Sequence, residues 1–169
     1  MNQSQIFVDS SGWLRFEGAE YQCAIGRGGL SQVRIEGDGT TPIGIFQLRD
    51  GLYRADREKC PDSGIDFTKI HKNDAWCDDP SDCQYNKRVK LPYPARYENL
   101  WREDNIYDII VPIGFNDSPP VVGRGSAVFL HVAQHDYAPT EGCVALARDD
   151  LKCLLSTLKN EAMIKIGTV

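Results

Sequence analysis

The sequence predicts a mainly β fold with one packed helix near the C-terminus and a long loop insertion between strands. Short runs of β-branched and aromatic residues are bounded by clusters of Gly, Pro, Ser, Asn and Asp, the pattern of strands joined by turns. A single segment carries the leucine spacing of an amphipathic helix. From about Arg49 to Arg102 periodicity fades, and that stretch holds four of the nine prolines and three of the six cysteines. At 169 residues and 41% hydrophobic content the chain can bury one core, so residues 1–169 are read as one domain.

The elements follow in order. "QIFVD-SSG-WLRFEG" reads as two strands around a Ser/Gly turn, and "EYQCAIG" extends them into a meander that stops at the glycine-rich "GRGG". In "GDGTTPIGIFQL" the glycines and Pro42 set a tight turn before "IGIFQL", which reads as a buried strand. "IYDIIVPIGF" and "SAVFLHVA" are the two clearest strands, separated by the turn-forming "NDSPPVVGRG". The helix is predicted over about Asp149 to Lys159, where Leu151, Leu154, Leu155 and Leu158 stand at i, i+3, i+4 and i+7 behind acidic residues. "AMIKIGTV" closes the chain as a strand.

A formal charge of −5 and the lack of any Lys/Arg block argue against nucleic acid and anionic lipid as partners. No stretch approaches transmembrane length, so no membrane insertion is expected. The opening "MNQSQIFVDSSGWLRFEG" lacks the basic and continuously apolar regions of a secretion signal, so a cytoplasmic location is expected, or a periplasmic one if a leader was removed upstream. Protein partners are not indicated.

The chemistry concentrates in "HVAQHDYAPTEGCVAL", residues 131–146. A thiol needs a base to become a nucleophile near neutral pH, and an imidazole within reach supplies it while stabilising the thiolate as an ion pair. His131 ends an apolar run, where its side chain emerges at the rim of a sheet, and Gly142 lets the backbone beside Cys143 approach a ligand. A free cysteine is also a common small buried hydrophobe, so the pair alone does not decide.

"FLHVA…PTEGCVAL", together with the upstream "EGDGTTPIGIFQL", resembles the L,D-transpeptidase (YkuD) catalytic domain. The segment "WCDDPSDCQYNKRVKLPYPARYENLWREDNIYDIIVPIGFND" looks like small, signal-less members of that family, resembling cytoplasmic L,D-carboxypeptidases. The resemblance implies a β-sandwich-like fold, Cys143 as nucleophile, His131 as general base, backbone N–H groups around Gly142 and Cys143 as oxyanion donors, and peptidoglycan stem peptides or muropeptides as substrate. Glu141 stands where the family usually has a second histidine and Ala145 where many members carry Arg or Asn. The interval from His131 to Cys143 is also shorter than usual.

On that resemblance the expected activity is a cysteine-dependent L,D-carboxypeptidase that removes terminal D-Ala from tetrapeptide stems in muropeptide recycling, through a thioacyl-enzyme. The alternatives are a periplasmic L,D-transpeptidase that forms cross-links and a non-catalytic binder of peptidoglycan fragments. An activated Cys143 would react with alkylating agents faster than the other cysteines, and a binder's would not. Guanidinium is the natural partner of a terminal carboxylate, so Arg124 and Arg148, and more weakly Arg27, are candidates for substrate contact. Thr140, Glu141, Tyr137, Trp76 and Asn86 are candidate lining residues.

No cofactor and no metal are expected. Cys60, His71, Cys77 and Cys83 are zinc-type ligands, but no pair has zinc spacing, and Cys77 with Cys83 is equally readable as a disulfide in an oxidising compartment. Asp78, Asp79 and Asp82 lack the punctuated pattern of a calcium loop and read as solvated charges. His71 and His135 are rival bases placed in polar loops, and Cys23 and Cys153 read as core thiols.

Overall fold

The computed structural model describes residues 5–167. Strands β1 (Gln5–Val8), β2 (Trp13–Phe16) and β3 (Ala19–Ala24) form the expected antiparallel meander. Its first turn is tied by Asp9, whose Oδ1 accepts hydrogen bonds from the N–H and hydroxyl of Ser11 and the N–H of Trp13. Burial alone would raise the Asp9 carboxyl, but these bonds and Arg15 hold it at about 2.

A two-stranded parallel pair, β4 (Leu30–Ser31) and β5 (Thr41–Pro42), leads to β6 (Gly44–Gln47). This last strand, expected to be buried, lies at an edge of the main sheet and Ile45 is 57% exposed. Its apolar alternation reports one packed face only, because Phe46 meets Phe115 edge to face while Ile45 points outward.

The stretch read as a loop insertion contains five short strands, β7 (Gly51–Tyr53), β8 (Phe67–Lys69), β9 (Asp74–Cys77), β10 (Arg88–Lys90) and β11 (Tyr97–Asn99). Strands of three or four residues are too short to show a period, which is why the pattern was lost. β9 is the middle strand of a separate three-stranded sheet held by the buried Asp74. Its carboxylate accepts from Arg88 Nη2 at 2.5 Å, Lys90 Nζ at 2.6 Å and the His71 N–H at 2.7 Å. These partners outweigh the burial penalty and keep Asp74 near 2.

Strands β12 (Ile109–Pro112), β13 (Phe129–Val132) and β14 (Val144–Leu146) follow, then α1 (Arg148–Thr157) and β15 (Met163–Ile166). The end of the last expected strand, beyond residue 167, lies outside the described residues. The main sheet has the order β6-β15-β1-β2-β3-β14-β13-β12-β7-β8 and curls so that its halves face each other across one core. Leu151, Leu154, Leu155 and Leu158 enter that core beside Ile6, Leu14, Leu130 and Leu146. On the other side of β12 and β13, Ile110, Phe129 and Cys143 join Leu52, Leu100 and Tyr107 in a second cluster beneath the three-stranded sheet.

The helix start is fixed electrostatically. Arg148 Nη2 donates to Oδ2 of the buried Asp108 at 2.8 Å and Nη1 pairs with Glu58, which also accepts from Lys152 at 2.5 Å. Arg57 fills the second Asp108 oxygen at 3.0 Å. Replacing Arg148 with Met leaves two largely buried carboxylates short of a donor, so Arg148→Met should lower unfolding free energy by about 1–3 kcal/mol in a urea titration. An unchanged midpoint would show that Arg57 and Lys152 alone compensate those carboxylates.

Candidate functional site

β13 and β14 run parallel, with Leu130 opposite Val144 and His131 opposite Ala145. Side chains alternate across a strand, so Phe129 and His131 share one face, and on the neighbouring strand Cys143 and Ala145 share the same one. The register therefore sets Cys143 beside Phe129 and leaves only a methyl group beside His131. Both residues line one cavity of 520 Å³, with Thr140, Glu141, Tyr107 and Glu98 among its walls.

Cys143 is buried, and its Sγ accepts from the Phe129 N–H and donates to the Ala127 carbonyl, both at 3.3 Å. Burial pushes the thiol up to about 12, and the carboxylate of Glu98 adds to the rise. His131 lies within β13 rather than at a rim and is 4% exposed. Burial lowers its imidazole to about 4. The resting site accordingly holds a neutral thiol and a neutral imidazole, not the ion pair expected from the residue types, because the pocket desolvates both charges.

The tautomer of His131 follows from its partner. Nδ1 lies 2.9 Å from the Val132 carbonyl, which can only accept, so Nδ1 carries the proton and Nε2 is left basic. The ring is further held by edge contact with Tyr107 at 5.3 Å between centroids, Tyr107 with Phe129 at 5.6 Å, and Phe129 with Trp76 at 5.1 Å. The Tyr107 hydroxyl donates to Glu98 at 2.5 Å. An aromatic chain thus runs from the small sheet to His131.

Gly142 has φ +132°, and a Cβ there would lie 2.7 Å from Arg34 Nη2 and 2.7 Å from the Thr40 carbonyl, so only glycine fits. Its N–H donates to Thr140 Oγ1 at 3.1 Å, which removes it as an oxyanion donor in the resting geometry. The Thr140 hydroxyl in turn donates to the Cys143 carbonyl at 2.7 Å. Thr140 therefore shapes the cysteine loop from within. Glu141 is mostly exposed and ion-paired with Arg27 at 2.9 Å, and Arg27 Nη2 also donates to the Gly37 carbonyl at 3.3 Å, so Arg27 is held at the cavity rim by Glu141 and Gly37.

Several expected substrate contacts lie elsewhere. Arg148 is committed to Glu58 and Asp108, and Arg124 is exposed on the 121–125 turn. Tyr137 is a turn residue with φ 53° and lines no part of the Cys143 cavity. Trp76 and Asn86 face a separate cavity of 640 Å³. Asn86 still matters indirectly: its Oδ1 accepts from Trp76 Nε1 at 2.9 Å and the Ala127 N–H at 3.0 Å, fixing the segment whose carbonyl receives the thiol.

His71 and His135 are exposed and outside the cavity, and Cys153 is exposed on α1 rather than in the core, whereas Cys23 is buried as expected. Cys77 is buried and Cys83 exposed, and neither is in a disulfide. Asp79 and Asp82 cap their own loop and Asp78 pairs with Arg96, so these acids are structural rather than merely solvated. Sequence reading missed Arg34, Glu98, Arg102 and Tyr107. Arg34 stands two residues before the "EGDGTTP" segment, the one signal that could have drawn attention to it.

The family model "L,D-transpeptidase catalytic domain" (YkuD) matches residues 3–166. No curated protein matches the chain in sequence. Among solved structures, the chain is similar to a mutant of the helical cell shape determining protein Pgp2 from Campylobacter jejuni, with a TM-score of 0.53 at 12% identity. That alignment covers 98% of this chain and 47% of Pgp2. Unmutated Pgp2 gives a TM-score of 0.50 at 11% identity with the same coverage. L,D-transpeptidase 1 from Mycobacterium tuberculosis gives 0.47 at 10% identity, over 98% of this chain and 60% of that one. The chain spans about half the length of Pgp2, and at these identities the likeness concerns the fold.

Two measurements probe the electrostatics of the pair. In the unfolded chain His131 binds a proton near its ordinary value of 6.5 and in the folded chain only near 4, so wild-type stability falls as pH drops through that window. The loss amounts to about 3 kcal/mol, and His131→Gln should flatten the slope of unfolding free energy between pH 6.5 and 4. An equal slope in both proteins would place the proton-linked destabilisation elsewhere. At pH 7 and without ligand, iodoacetamide should modify Cys143 at least about tenfold more slowly than Cys60, Cys83 or Cys153, as read by peptide mass mapping. Faster modification of Cys143 would mean a resting thiolate.

Proposed function

Since the chain belongs to the L,D-transpeptidase catalytic domain family, we propose that it is a cysteine L,D-carboxypeptidase that removes terminal D-Ala from the tetrapeptide stems of peptidoglycan fragments. The observation that carries this reading is that Cys143 and His131 line one cavity, whose 520 Å³ suits the end of one stem peptide. The larger cavity, lined by Trp76 and Asn86, does not include Cys143. A cavity of 520 Å³ that already holds the end of one stem leaves water as a simpler acceptor of the acyl group than a second bulky stem, which favours hydrolysis over cross-linking.

The chemistry starts from neutral groups. The thiol turns from the Ala127 carbonyl to His131, and its proton passes to Nε2 as Sγ bonds to the carbonyl carbon of the third stem residue. Collapse of the tetrahedral intermediate breaks the C–N bond, and the imidazolium gives its proton to the departing D-Ala amine. His131 then takes a proton from water as the hydroxide attacks the thioester, and the proton returns to the thiol. Coupling proton transfer to bond formation avoids a free thiolate in a pocket that penalises it.

The same pocket favours one rival reading, a binder of peptidoglycan fragments in which the buried thiol stays inert. Incubating wild type and Cys143→Ala with a disaccharide tetrapeptide, with and without a second stem as acceptor, separates them by mass spectrometry. Loss of one D-Ala by wild type alone, with the variant reduced by about 10³-fold or more, is expected. Cross-linked dimers would make the protein a transpeptidase, and intact substrate with retained binding would make it a binder.

A further inference from the structure

Arg34 is the most unusual charged residue in the molecule. Its side chain is 4% exposed, and Nε and Nη1 are buried without any hydrogen-bond partner. Ser126 Oγ is the other buried side-chain atom without one among the described residues, and it lines the same cavity as Arg34 and Cys143. A guanidinium cannot discharge by losing its proton, so unfilled donors at this depth carry a desolvation cost that the Phe115 ring, 5.7 Å from Cζ, offsets only in part. Native interiors rarely leave such donors empty except where something else fills them.

The neighbouring carboxylates are spoken for. Asp38 receives hydrogen bonds from the Ile35 N–H and from the N–H and hydroxyl of Thr40, all at 2.8 Å, and its Oδ1 stays 3.7 Å from Arg34 Nε. It balances charge without filling the fork. Glu36 accepts the Tyr85 hydroxyl. Arg34 Nη2 has only a long 3.5 Å contact with the Glu141 carbonyl. Arg102, the other guanidinium of the cavity, is already paired through two nitrogens with Asp104 at 2.8 and 2.6 Å.

The slot is built around the guanidinium. A Cβ on Gly125, whose φ is +104°, would lie 3.0 Å from Nη1, and one on Gly142 would lie 2.7 Å from Nη2. Two backbone segments with left-handed residues thus leave out their side chains to admit Arg34, and one of them carries the cysteine. The methyl of Ala145 adds no competing donor to the cavity.

We propose that Arg34 is the anchor for a carboxylate of the stem peptide, held by charge-assisted bonds from the guanidinium with the Ser126 hydroxyl alongside. This rests on the carboxypeptidase reading for the identity of the substrate, but not on turnover. A tetrapeptide stem carries a carboxylate on its terminal D-Ala and another on the diaminopimelate side chain, and the chemistry at Arg34 is the same for either. Arg34 is a specificity-determining residue that selects the free acid over the amide.

The test is binding to full-length Cys143→Ala protein, which cannot turn over, by calorimetry. The probes are the disaccharide tetrapeptide, its terminal amide and its diaminopimelate side-chain amide. One amide should bind about tenfold or more weakly than the acid and thereby identify the carboxylate. Adding Arg34→Met should abolish that ratio, and Arg34→Lys, which keeps charge but not the fork, should reduce it. If Arg34→Met does not fold, as judged by circular dichroism, the lysine variant decides by the same ratio. A ratio unchanged by the substitution, equal binding of acid and amides, or no binding at all would overturn the proposal. Release of D-Ala by wild type is read separately: release with Arg34-independent binding overturns the anchor and leaves the carboxypeptidase, whereas Arg34-dependent binding without release does the reverse.

Discussion

The parallel pairing of β13 with β14 is the constraint on which the rest of the site depends. Two strands joined by residues 133–143 can run parallel only if that segment crosses over the end of the sheet, and here it does so without a helix. The crossover brings Thr140, Glu141 and Gly142 back over the strand ends and delivers Cys143 to the face that already carries His131. A slip of one residue in this register would send Cys143 to the leucine-filled side beneath α1. The bonds that fix the register are therefore also site bonds: Phe129 N–H to the thiol, and Thr140 to the Cys143 carbonyl.

The same constraint explains why part of the molecule was readable from sequence and part was not. The meander, β12, β13, α1 and the sharing of one cavity by Cys143 and His131 follow from local patterns or motifs, visible as alternation, as Leu151-Leu154-Leu155-Leu158 spacing, or as "FLHVA…TEGC". What escaped is what the curled sheet assembles from afar. Arg34 reaches the cysteine loop from a turn more than a hundred residues earlier, and nothing in its own segment marks it as buried. Arg124 and Arg148 lie closer in the chain to the motif, yet one points to solvent and the other serves Asp108. Proximity in sequence to the segment that carries His131 and Cys143 is a poor guide where a site sits between layers.

The segment from Arg49 to Arg102 makes the same point at the level of structure. Its strands are too short for periodicity, and its order comes from the non-local pairing of Asp74 with Arg88 and Lys90 and from Asn86, which ties Trp76 to the backbone of Ala127. Through Trp76, Phe129 and Tyr107 this insertion presses on the His131 ring. It is the roof of the second core and hence part of what buries Cys143 and His131.

Burial is what holds both groups neutral when the cavity is empty. With the thiol pushed up to about 12 and the imidazole down to about 4, the charged pair lies above the neutral one in free energy, the basis for expecting slow alkylation of ligand-free Cys143. A substrate changes the balance only if it supplies something the empty cavity lacks. A carbonyl placed over Sγ accepts the developing negative charge directly, so thiolate and imidazolium need not coexist before the bond forms. A carboxylate seated at Arg34 would offset the guanidinium's charge beside the cysteine loop, and by itself that would raise the thiol further, because Arg34 lowers it. Recognition at Arg34, as proposed, would therefore work against a preformed thiolate and in favour of a concerted path, and the energy to drive that path would have to come from holding the proposed stem peptide in place.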